Sequence, residues 1–295
     1  MSDVLDGVTG KIDAGQPLSN EDISALGSSR DIIALGMLAT TVRRRVRGSD
    51  VTYVRVADLK LSPAGELVAH QVPEGAGEVR IFQTPDTLDK AVAAVERARD
   101  QAGDIPLSAF CLFELGKLPQ GLPVVLPALR NAGLEMVTQA PIDRLAAPEQ
   151  ALEALADAGL TLARLTVNET TEREWTAVCR QVAALQTKLN AIRAFAPLPR
   201  KIDATQPTTG YEDVKRIALT RVLAANIETI QVDWALYGPK LAQVALTFGA
   251  DDIDSVAADD DQSQGKRRSP VEEIHRSIRA AGFEPVERDG RFNSR

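Results

Sequence analysis

Cysteine is almost absent from this sequence, which contains Cys111 and Cys179 and no other. Two cysteines cannot build the disulfide framework of a small secreted domain, and such sparse use of cysteine suits a reducing cytoplasm. Two thiols alone cannot complete a tetrahedral zinc site either. Because both cysteines lie in apolar surroundings, we expect them to be buried as small hydrophobic side chains. We therefore predict a cytoplasmic protein without a metal site.

An excess of positive charge is also missing, because 34 lysines and arginines stand against 41 aspartates and glutamates. A nucleic-acid-binding domain normally carries a basic surface, so this balance argues against a nucleic-acid partner. No apolar run reaches the roughly 18 residues that a membrane helix needs, and the first residues contain no apolar signal-peptide segment. We expect a soluble chain that binds neither nucleic acid nor a membrane.

What the sequence does contain is a regular alternation of apolar strands and amphipathic helices. Apolar residues make up 44% of the 295 residues, which is enough for a full core. Such alternation is typical of a parallel sheet. Because no Gly-x-Gly-x-x-Gly follows the first strand, a (β/α) TIM-type barrel, complete or partly open, is favoured over a doubly wound sheet. The predicted strands are residues 51–56, 79–82, 107–113, 134–137, 160–167, 192–196 and 230–236.

Composition divides the chain into four parts. Residues 1–17 show no clear period and are predicted to form a mobile leader. Residues 18–254 are predicted to form the barrel with an N-terminal helix. Residues 255–269 carry a run of acids and a run of bases, so we expect a flexible linker there. Residues 270–295 are predicted to be a C-terminal helix and tail that pack on the barrel.

An acidic segment follows the last predicted helix of the barrel. Asp251, Asp252 and Asp254 together suggest a divalent-cation site, but their spacing does not match an EF-hand loop. We interpret the segment as a solvated loop that caps one wall of the barrel.

Three stretches of the chain follow the pattern of one known family. The most specific comprises residues 208–213, 230–238 and 248–254, continued by residues 270–274 and 281–289. The other two comprise residues 31–36 with 51–54, and residues 168–172 with 185–186 and 193–198. Together they resemble the radical-SAM enzymes of the aminofutalosine synthase and dehypoxanthine futalosine cyclase group, to which a deazaflavin synthase subunit is related. The resemblance implies a radical-SAM-type barrel, a four-iron cluster with SAM, and a link to menaquinone biosynthesis through futalosine.

The departures from that family fall at its chemistry. The family binds its cluster through three cysteines in a CxxxCxxC loop after the first strand, where residues 59–65 of this chain contain none. The glycine pair that lies along SAM is replaced by Gln83-Thr84, and a later glycine-rich turn by residues 138–141. Thr166-Val167 stands where the family has Gly-His, and Ser255-Val256 where it has Gly-Thr. We therefore expect neither cluster nor SAM, and no ordinary radical-SAM catalysis.

Barrel geometry nevertheless predicts a pocket, because ligands of such barrels bind at the C-terminal ends of the strands. Arg164 and Arg193 lie within predicted strands and would point inward, where each would need a carboxylate such as Glu169 or Asp233. Two interpretations stay open, a salt bridge that fills a disused pocket and a site that binds a ligand. The other pocket candidates are Gln83, Glu114, Gln139, Asn168, Trp234 and Tyr237.

These observations predict a pseudoenzyme of the futalosine route, without a cluster, that acts as a binding, regulatory or partner subunit. Its expected partners are an active radical-SAM paralogue, in a hetero-oligomer, or a second copy in a homodimer, together with a small-molecule ligand. The alternative is a non-radical enzyme that uses Glu169 or Asp233 as a general base on a futalosine-like or chorismate-derived molecule.

Overall fold

The computed structural model describes residues 2–68, 71–169, 175–201, 209–258 and 271–295. Its strands are β1 (Asp50–Leu59), β2 (Glu78–Ile81), β3 (Leu107–Cys111), β4 (Met136–Pro141), β5 (Thr161–Val167), β6 (Ile192–Pro199), β7 (Thr229–Asp233), β8 (Asp252–Ala257) and β9 (Glu284–Glu287). Its helices are α1 (Ser2–Asp13), α2 (Asn20–Ser28), α3 (Ile32–Arg47), α4 (Leu88–Ala102), α5 (Leu112–Leu115), α6 (Leu122–Asn131), α7 (Pro148–Asp157), α8 (Trp175–Leu189), α9 (Gly210–Leu223), α10 (Trp234–Leu246) and α11 (Val271–Ala280).

The strands close into a barrel. Each strand from β1 to β8 hydrogen-bonds in parallel to the next, and β8 pairs back with β1 through Thr52↔Asp252 and Tyr53↔Ile253. The predicted TIM-type barrel is confirmed, and each of the seven predicted strands overlaps an observed one. Of the two alternatives that the sequence left open, the structure shows the complete barrel, because the acidic segment after α10 supplies the eighth strand.

That eighth strand corrects our interpretation of the acidic segment as a solvated loop. Asp252 and Asp254 in β8 are both fully buried, while Ile253 between them is buried in the apolar core. Alternate residues of a strand face opposite sides of a sheet, so the two carboxylates share one face. The acidic segment is therefore part of the barrel wall.

The surrounding helices cover the outer face of the barrel with apolar stripes. Helix α4 is an example: Thr87 caps its N-terminus by accepting a hydrogen bond from the Lys90 amide, and Gly103 ends it at a φ of 56°. Between these ends Ala91, Ala94, Val95, Ala98 and Ala102 are buried, at the spacing that places them on one helix face. None of the helices in the described ranges combines the length and apolar character that a membrane crossing requires.

Three further helices at the N-terminus pack outside the barrel. Helix α1 occupies the region predicted as a mobile leader, and its Val8 is fully buried against a small core that includes Leu26 and Leu35. The sequence analysis assigned no helix to this region. Ser19 and Asp22 form a capping box at the start of α2, as expected for a helix that begins with acids after a serine.

The C-terminal segment closes the end of the barrel at which the strands begin, which we call the lower end. The mouth is the opposite, upper end, where the strands finish. Strand β9 lies beside the first half of β1, through Asp50↔Glu284 and Tyr53↔Glu287. The chain then folds back so that the Gly290 amide donates to the Gly77 carbonyl, 2.8 Å away. The predicted linker at 255–269 overlaps β8 at its first residues, and residues 259–269 of it lie outside the described part of the chain.

Candidate functional site

The barrel interior contains six charged side chains, which we call the core ion network: Glu78, Arg80, Arg164, Asp252, Asp254 and Arg288. All six are buried, with at most 2% of each residue exposed. Arg80 donates two hydrogen bonds of 2.8 Å to the Glu78 carboxylate and one of 2.9 Å to Asp254. Arg164 also donates to Asp254. The sequence prediction included Arg164, considered Asp252 and Asp254 only as a cation site or a solvated loop, and did not include Glu78, Arg80 or Arg288.

These contacts place the network inside the barrel. Arg80 lies in β2, Arg164 in β5 and Asp254 in β8, and no two of these strands are neighbours in the sheet. Side chains from strands that are not adjacent can meet in a closed barrel only across its interior. The network therefore occupies the space that layers of apolar side chains fill in most barrels of this type.

The lower part of the network joins the C-terminal tail to the barrel. Arg288, which follows β9, donates to Asp252 from Nε at 2.5 Å and from Nη2 at 3.0 Å. Asp252 also accepts from Thr52 Oγ1 at 2.5 Å and from Gln231 Nε2 at 2.7 Å. Both oxygens of this carboxylate are thus fully engaged by its neighbours.

The network is balanced, with three guanidiniums against three carboxylates. Burial alone would raise the pKa of Asp254, but the guanidiniums of Arg164 and Arg80 hold that pKa well below its ordinary value. Arg80 and then Arg164 likewise lower the pKa of Glu78 against the effect of burial. Burial, together with the nearby charge of Arg80, lowers the pKa of Arg164 to about 10. Asp254, Glu78 and Arg164 are therefore charged at neutral pH.

Neutral side chains complete the network. Ser108 donates to Glu78 Oε1 at 2.5 Å and lies 3.2 Å from Thr138 Oγ1, so a hydroxyl chain extends from the network across β3 to β4. The Phe82 ring lies against both upper guanidiniums, with its centroid 5.4 Å from Arg80 and 5.6 Å from Arg164. Such cation–π contacts add to the stabilisation of buried guanidiniums.

The two strand arginines of the sequence prediction have different positions. Arg164 points inward as expected, but its partner is Asp254 rather than Glu169 or Asp233. Arg193 is exposed on β6 and does not reach the interior, so the expectation that it points inward is wrong. The next residue, Ala194, is the register partner of Arg164, whose side chain points inward. Because alternate residues of a strand face opposite sides of the sheet, Arg193 lies on the outer face.

Asp233 lies at the mouth of the barrel and is held by three partners. Its Oδ1 accepts from the Leu236 amide at 2.9 Å, which makes Asp233 the N-cap of α10. Its Oδ2 accepts from Arg200 Nη1 at 2.7 Å and from Ser255 Oγ at 3.1 Å. These contacts commit Asp233 to capping α10 and to the ion pair with Arg200.

Asn168 and Glu169 lie at the rim, beyond the end of β5. Their backbone amides donate to the Asp143 carboxylate at 2.8 and 3.0 Å, which fixes this turn. The Glu169 side chain is exposed and forms an ion pair of 2.9 Å with Lys201. Glu169 is therefore a solvated rim carboxylate, separate from the core ion network.

The remaining predicted pocket residues are spread around the rim. Gln83 is exposed and accepts from the Leu61 amide at 2.8 Å, and the half-buried Glu114 pairs with Lys117 at 2.6 Å. Tyr237 donates to the Pro199 carbonyl, and burial followed by the charge of Asp213 raises its pKa. Trp234 is buried in the apolar core, with 1% of its surface exposed.

Among the buried polar atoms that have no hydrogen-bond partner, two belong to facing residues of neighbouring strands. They are Nη2 of Arg164 and Oε1 of Gln139, which are register partners in β5 and β4. The nearest carboxylate oxygen to Arg164 Nη2 is that of Glu78, at 4.0 Å. Leaving such atoms unpaired costs about 1–3 kcal/mol each, so these are the points of the upper barrel at which an added polar group would gain most.

The residues of this chain do not fit the four-iron cluster that the family resemblance implies. The segment after β1 contains no thiol, and Cys111 and Cys179 lie at the end of β3 and on α8. Both are buried. Burial raises the pKa of Cys111 and raises that of Cys179 to about 12, whereas cluster ligands are thiolates.

The residues at the expected SAM turn do not fit that ligand either. Where the family has two glycines, Gln83 and Thr84 carry side chains that are already in use. Gln83 binds the Leu61 amide, and Thr84 Oγ1 accepts from the Cys111 amide at 3.1 Å. A glycine pair allows a ligand to lie against the backbone, and this turn does not offer that surface.

Comparison with known proteins identifies relatives of the C-terminal part of the chain. Residues 194–295 match the family model described as the CofH/MqnC C-terminal region. Aminodeoxyfutalosine synthase of Streptomyces coelicolor is 37% identical over 94 residues, which are 30% of this chain and 24% of that protein. Cyclic dehypoxanthine futalosine synthase of the same organism is 30% identical over 117 residues, covering 37% and 29%.

A third relative, 5-amino-6-(D-ribitylamino)uracil–L-tyrosine 4-hydroxyphenyl transferase of Methanothermobacter thermautotrophicus, is 36% identical over 121 residues, covering 36% of this chain and 33% of that protein. These matches confirm the relationship to the futalosine-type radical-SAM family that the sequence motifs indicate. The matched part spans about a quarter to a third of the length of these relatives.

Solved structures agree on the fold. Methylornithine synthase (PylB) has a TM-score of 0.66 and 14% identity, covering 94% of this chain and 97% of that structure. The FeFe-hydrogenase maturase HydG from Carboxydothermus hydrogenoformans has a TM-score of 0.68 and 13% identity, covering 97% and 80%. At this level of identity the similarity shows the barrel fold alone.

Proposed function

We propose that this chain is a radical-SAM-like barrel without a cluster that serves the futalosine route to menaquinone as a binding or regulatory subunit. The observation that carries the proposal is the core ion network, which places six buried, paired charges in the barrel interior. The site residues of a working radical-SAM enzyme would have to share this space with a substrate.

The arrangement of charges supports a scaffold more than a catalytic centre. Asp254 is bound by Arg80 and Arg164, and Glu78 by Arg80 and Ser108. A general base needs a free oxygen within reach of the proton that it removes. Asp233 is engaged by three donors and Glu169 by a surface lysine, so the alternative of a non-radical enzyme that uses either as a base has less support.

The link to the futalosine route comes from the relatives. Two of them are named as futalosine-pathway enzymes, and the family model matches the C-terminal part of this chain. The shared C-terminal part supports a partner from the same family. We therefore propose an active radical-SAM paralogue from the same organism as the partner, in a hetero-oligomer, ahead of a homodimer.

Anaerobic reconstitution with iron and sulfide tests the absence of a cluster. We expect the full chain to bind no stoichiometric iron and to show no charge-transfer absorption near 400 nm. The matched control is the Cys111→Ser/Cys179→Ser double variant, which should behave in the same way. About four irons per wild-type chain, lost in the double variant, would overturn the proposal.

Association with the paralogue tests the regulatory role. The two chains are co-expressed, purified by a tag on one of them, and assayed for turnover of the paralogue with and without this chain. We expect a stable complex at micromolar concentration and a change in turnover of at least twofold. A paralogue that elutes alone and whose turnover is unchanged would exclude the partner role.

A further inference from the structure

A cleft of about 200 Å³ lies outside the barrel, where the end of α2 meets the beginning of α8 and the first half of α9. Trp175 and Leu219 form its apolar side, and Gly27 and Thr176 form part of its rim. Lys215 and Arg216 bring two positive charges to the same cleft. This volume is smaller than the roughly 300–1,000 Å³ of sites for drug-sized ligands, so a ligand here would be small.

Arg216 forms no ion pair with the described residues, although burial lowers its pKa and the charges of Asp213 and Glu212 act in the opposite direction. Its guanidinium lies 4.6 Å from the centre of the Trp175 ring, and its Nη1 has no hydrogen-bond partner. The Trp175 ring also stacks with the Phe195 ring, with 6.0 Å between the ring centroids. The Trp175 Nε1 donates to the Arg216 backbone carbonyl at 3.1 Å, which positions the ring against which the guanidinium lies.

Lys215 is the second such cation. Its ammonium donates to the carbonyls of Gly27 and Ser29 at 2.7 and 2.8 Å, which leaves one of its three donors unused. Burial and the charge of Arg30 lower its pKa. The one carboxylate on the rim, Glu212, is turned back to the Thr209 amide in the capping box of α9, at 3.3 Å.

We infer that this cleft binds the carboxylate group of a small organic acid. A planar carboxylate can accept two parallel hydrogen bonds from a guanidinium, and Lys215 lies beside Arg216 to share the charge. The apolar part of the acid would lie against Leu219 and the edge of Trp175. The inference goes beyond the proposed function, because the cleft is outside the core ion network and does not depend on the absence of a cluster.

Calorimetric titration of the full chain with benzoate tests the inference, with benzamide as the neutral isostere and inorganic phosphate as the alternative anion. We expect benzoate to bind with a millimolar or lower dissociation constant, and benzamide and phosphate at least tenfold more weakly. Charge-assisted hydrogen bonds are strong enough to produce such ratios. Equal binding of benzamide, or preference for phosphate, would overturn the assignment of a carboxylate site.

Variants locate the site. Arg216→Gln should weaken benzoate binding at least tenfold, whereas Arg97→Gln, at an exposed arginine on α4, should leave it unchanged. Benzoate should also change the tryptophan emission, and Trp175→Phe should abolish that change, although Trp234 remains. Circular dichroism confirms that each variant is folded. Unchanged affinity in folded Arg216→Gln would overturn the inference.

Discussion

Arg288 and Asp252 join the C-terminal tail to the barrel wall through a buried two-point ion pair, with Nε–Oδ2 at 2.5 Å and Nη2–Oδ1 at 3.0 Å. Asp252 belongs to β8 and Arg288 to the segment after β9, so the pair connects two parts of the chain that are separate in sequence. It is one end of the core ion network. Both side chains are buried. A substitution that removes one of them therefore leaves the other without a counterion and away from water.

We predict that Arg288→Met destabilises the fold by about 3–5 kcal/mol, because it leaves the buried Asp252 charge without a counterion. Adding Asp252→Asn should recover at least half of that loss, since no charge is then left unpaired. Arg291→Gln is the matched control: Arg291 is 45% exposed in its ion pair with Glu135, and exposed pairs contribute about 1 kcal/mol or less. Urea unfolding measures all three. Equal losses for Arg288→Met and Arg291→Gln would contradict the prediction.

The network also predicts a loss of stability in acid. Glu78 and Asp254 have pKa values lowered by their arginine partners against the effect of burial, whereas in the unfolded chain such carboxyls titrate near pH 4. The unfolded chain therefore takes up protons first as the pH falls, and each group contributes up to about 1.4 kcal/mol of lost stability per pH unit below about pH 4.5. Burial raises the pKa of Asp251, which offsets part of this effect.

Urea unfolding midpoints between pH 6.5 and 3.5 measure this dependence. The Glu149→Gln variant serves as a control, because Glu149 is an exposed carboxylate on α7 and its loss should leave the slope nearly unchanged. Stability that stays constant from pH 5.5 to 3.5 would show that the network carboxyls are not held ionised.

How much of this site follows from the sequence is best seen in β8. The seven predicted strands have apolar or β-branched residues on at least one face, which is a local signal. Strand β8 has aspartates on its inner face, and the arginines that compensate them, Arg80 and Arg164, lie 174 and 90 residues from Asp254. No local feature of the sequence indicates that these acids are buried, so the segment is predicted as a solvated loop.

A weaker signal was present in β2 and β5. Glu78, Arg80 and Arg164 are charged residues at positions where a buried strand would normally be apolar, and charges inside a strand need partners. The sequence therefore indicates that Arg164 is paired, but not with which acid. The resemblance to the family placed the barrel correctly, since the fold depends on the alternation of elements and not on the cluster ligands.

Thiol reactivity gives a test of the cysteine environments. Cys179 has a pKa raised to about 12 by burial, so at pH 8 its thiolate fraction is roughly a thousandfold lower than that of a free cysteine near pKa 8.5. Cys111 is also buried, with 8% of its surface exposed and its pKa raised. We predict that labelling by a disulfide reagent is at least about 100-fold slower in the native protein than in urea. Rapid labelling of one thiol in folded protein would contradict this.

Gly249 allows a prediction that separates backbone strain from crowding. It has a φ of 106°, and a Cβ there would lie 2.8 Å from Arg221 Cβ and 3.1 Å from Ala39 Cβ, between α9 and α3. Gly159, which follows α7, also has positive φ, 69°, but a Cβ there would meet nothing within 4 Å. We predict that Gly159→Ala costs about 1 kcal/mol from conformation alone. Gly249→Ala should cost about 3 kcal/mol, because α3 must also move away from α9. Thermal and urea unfolding of both variants measure the difference, and equal losses would mean that the N-terminal helices yield without cost.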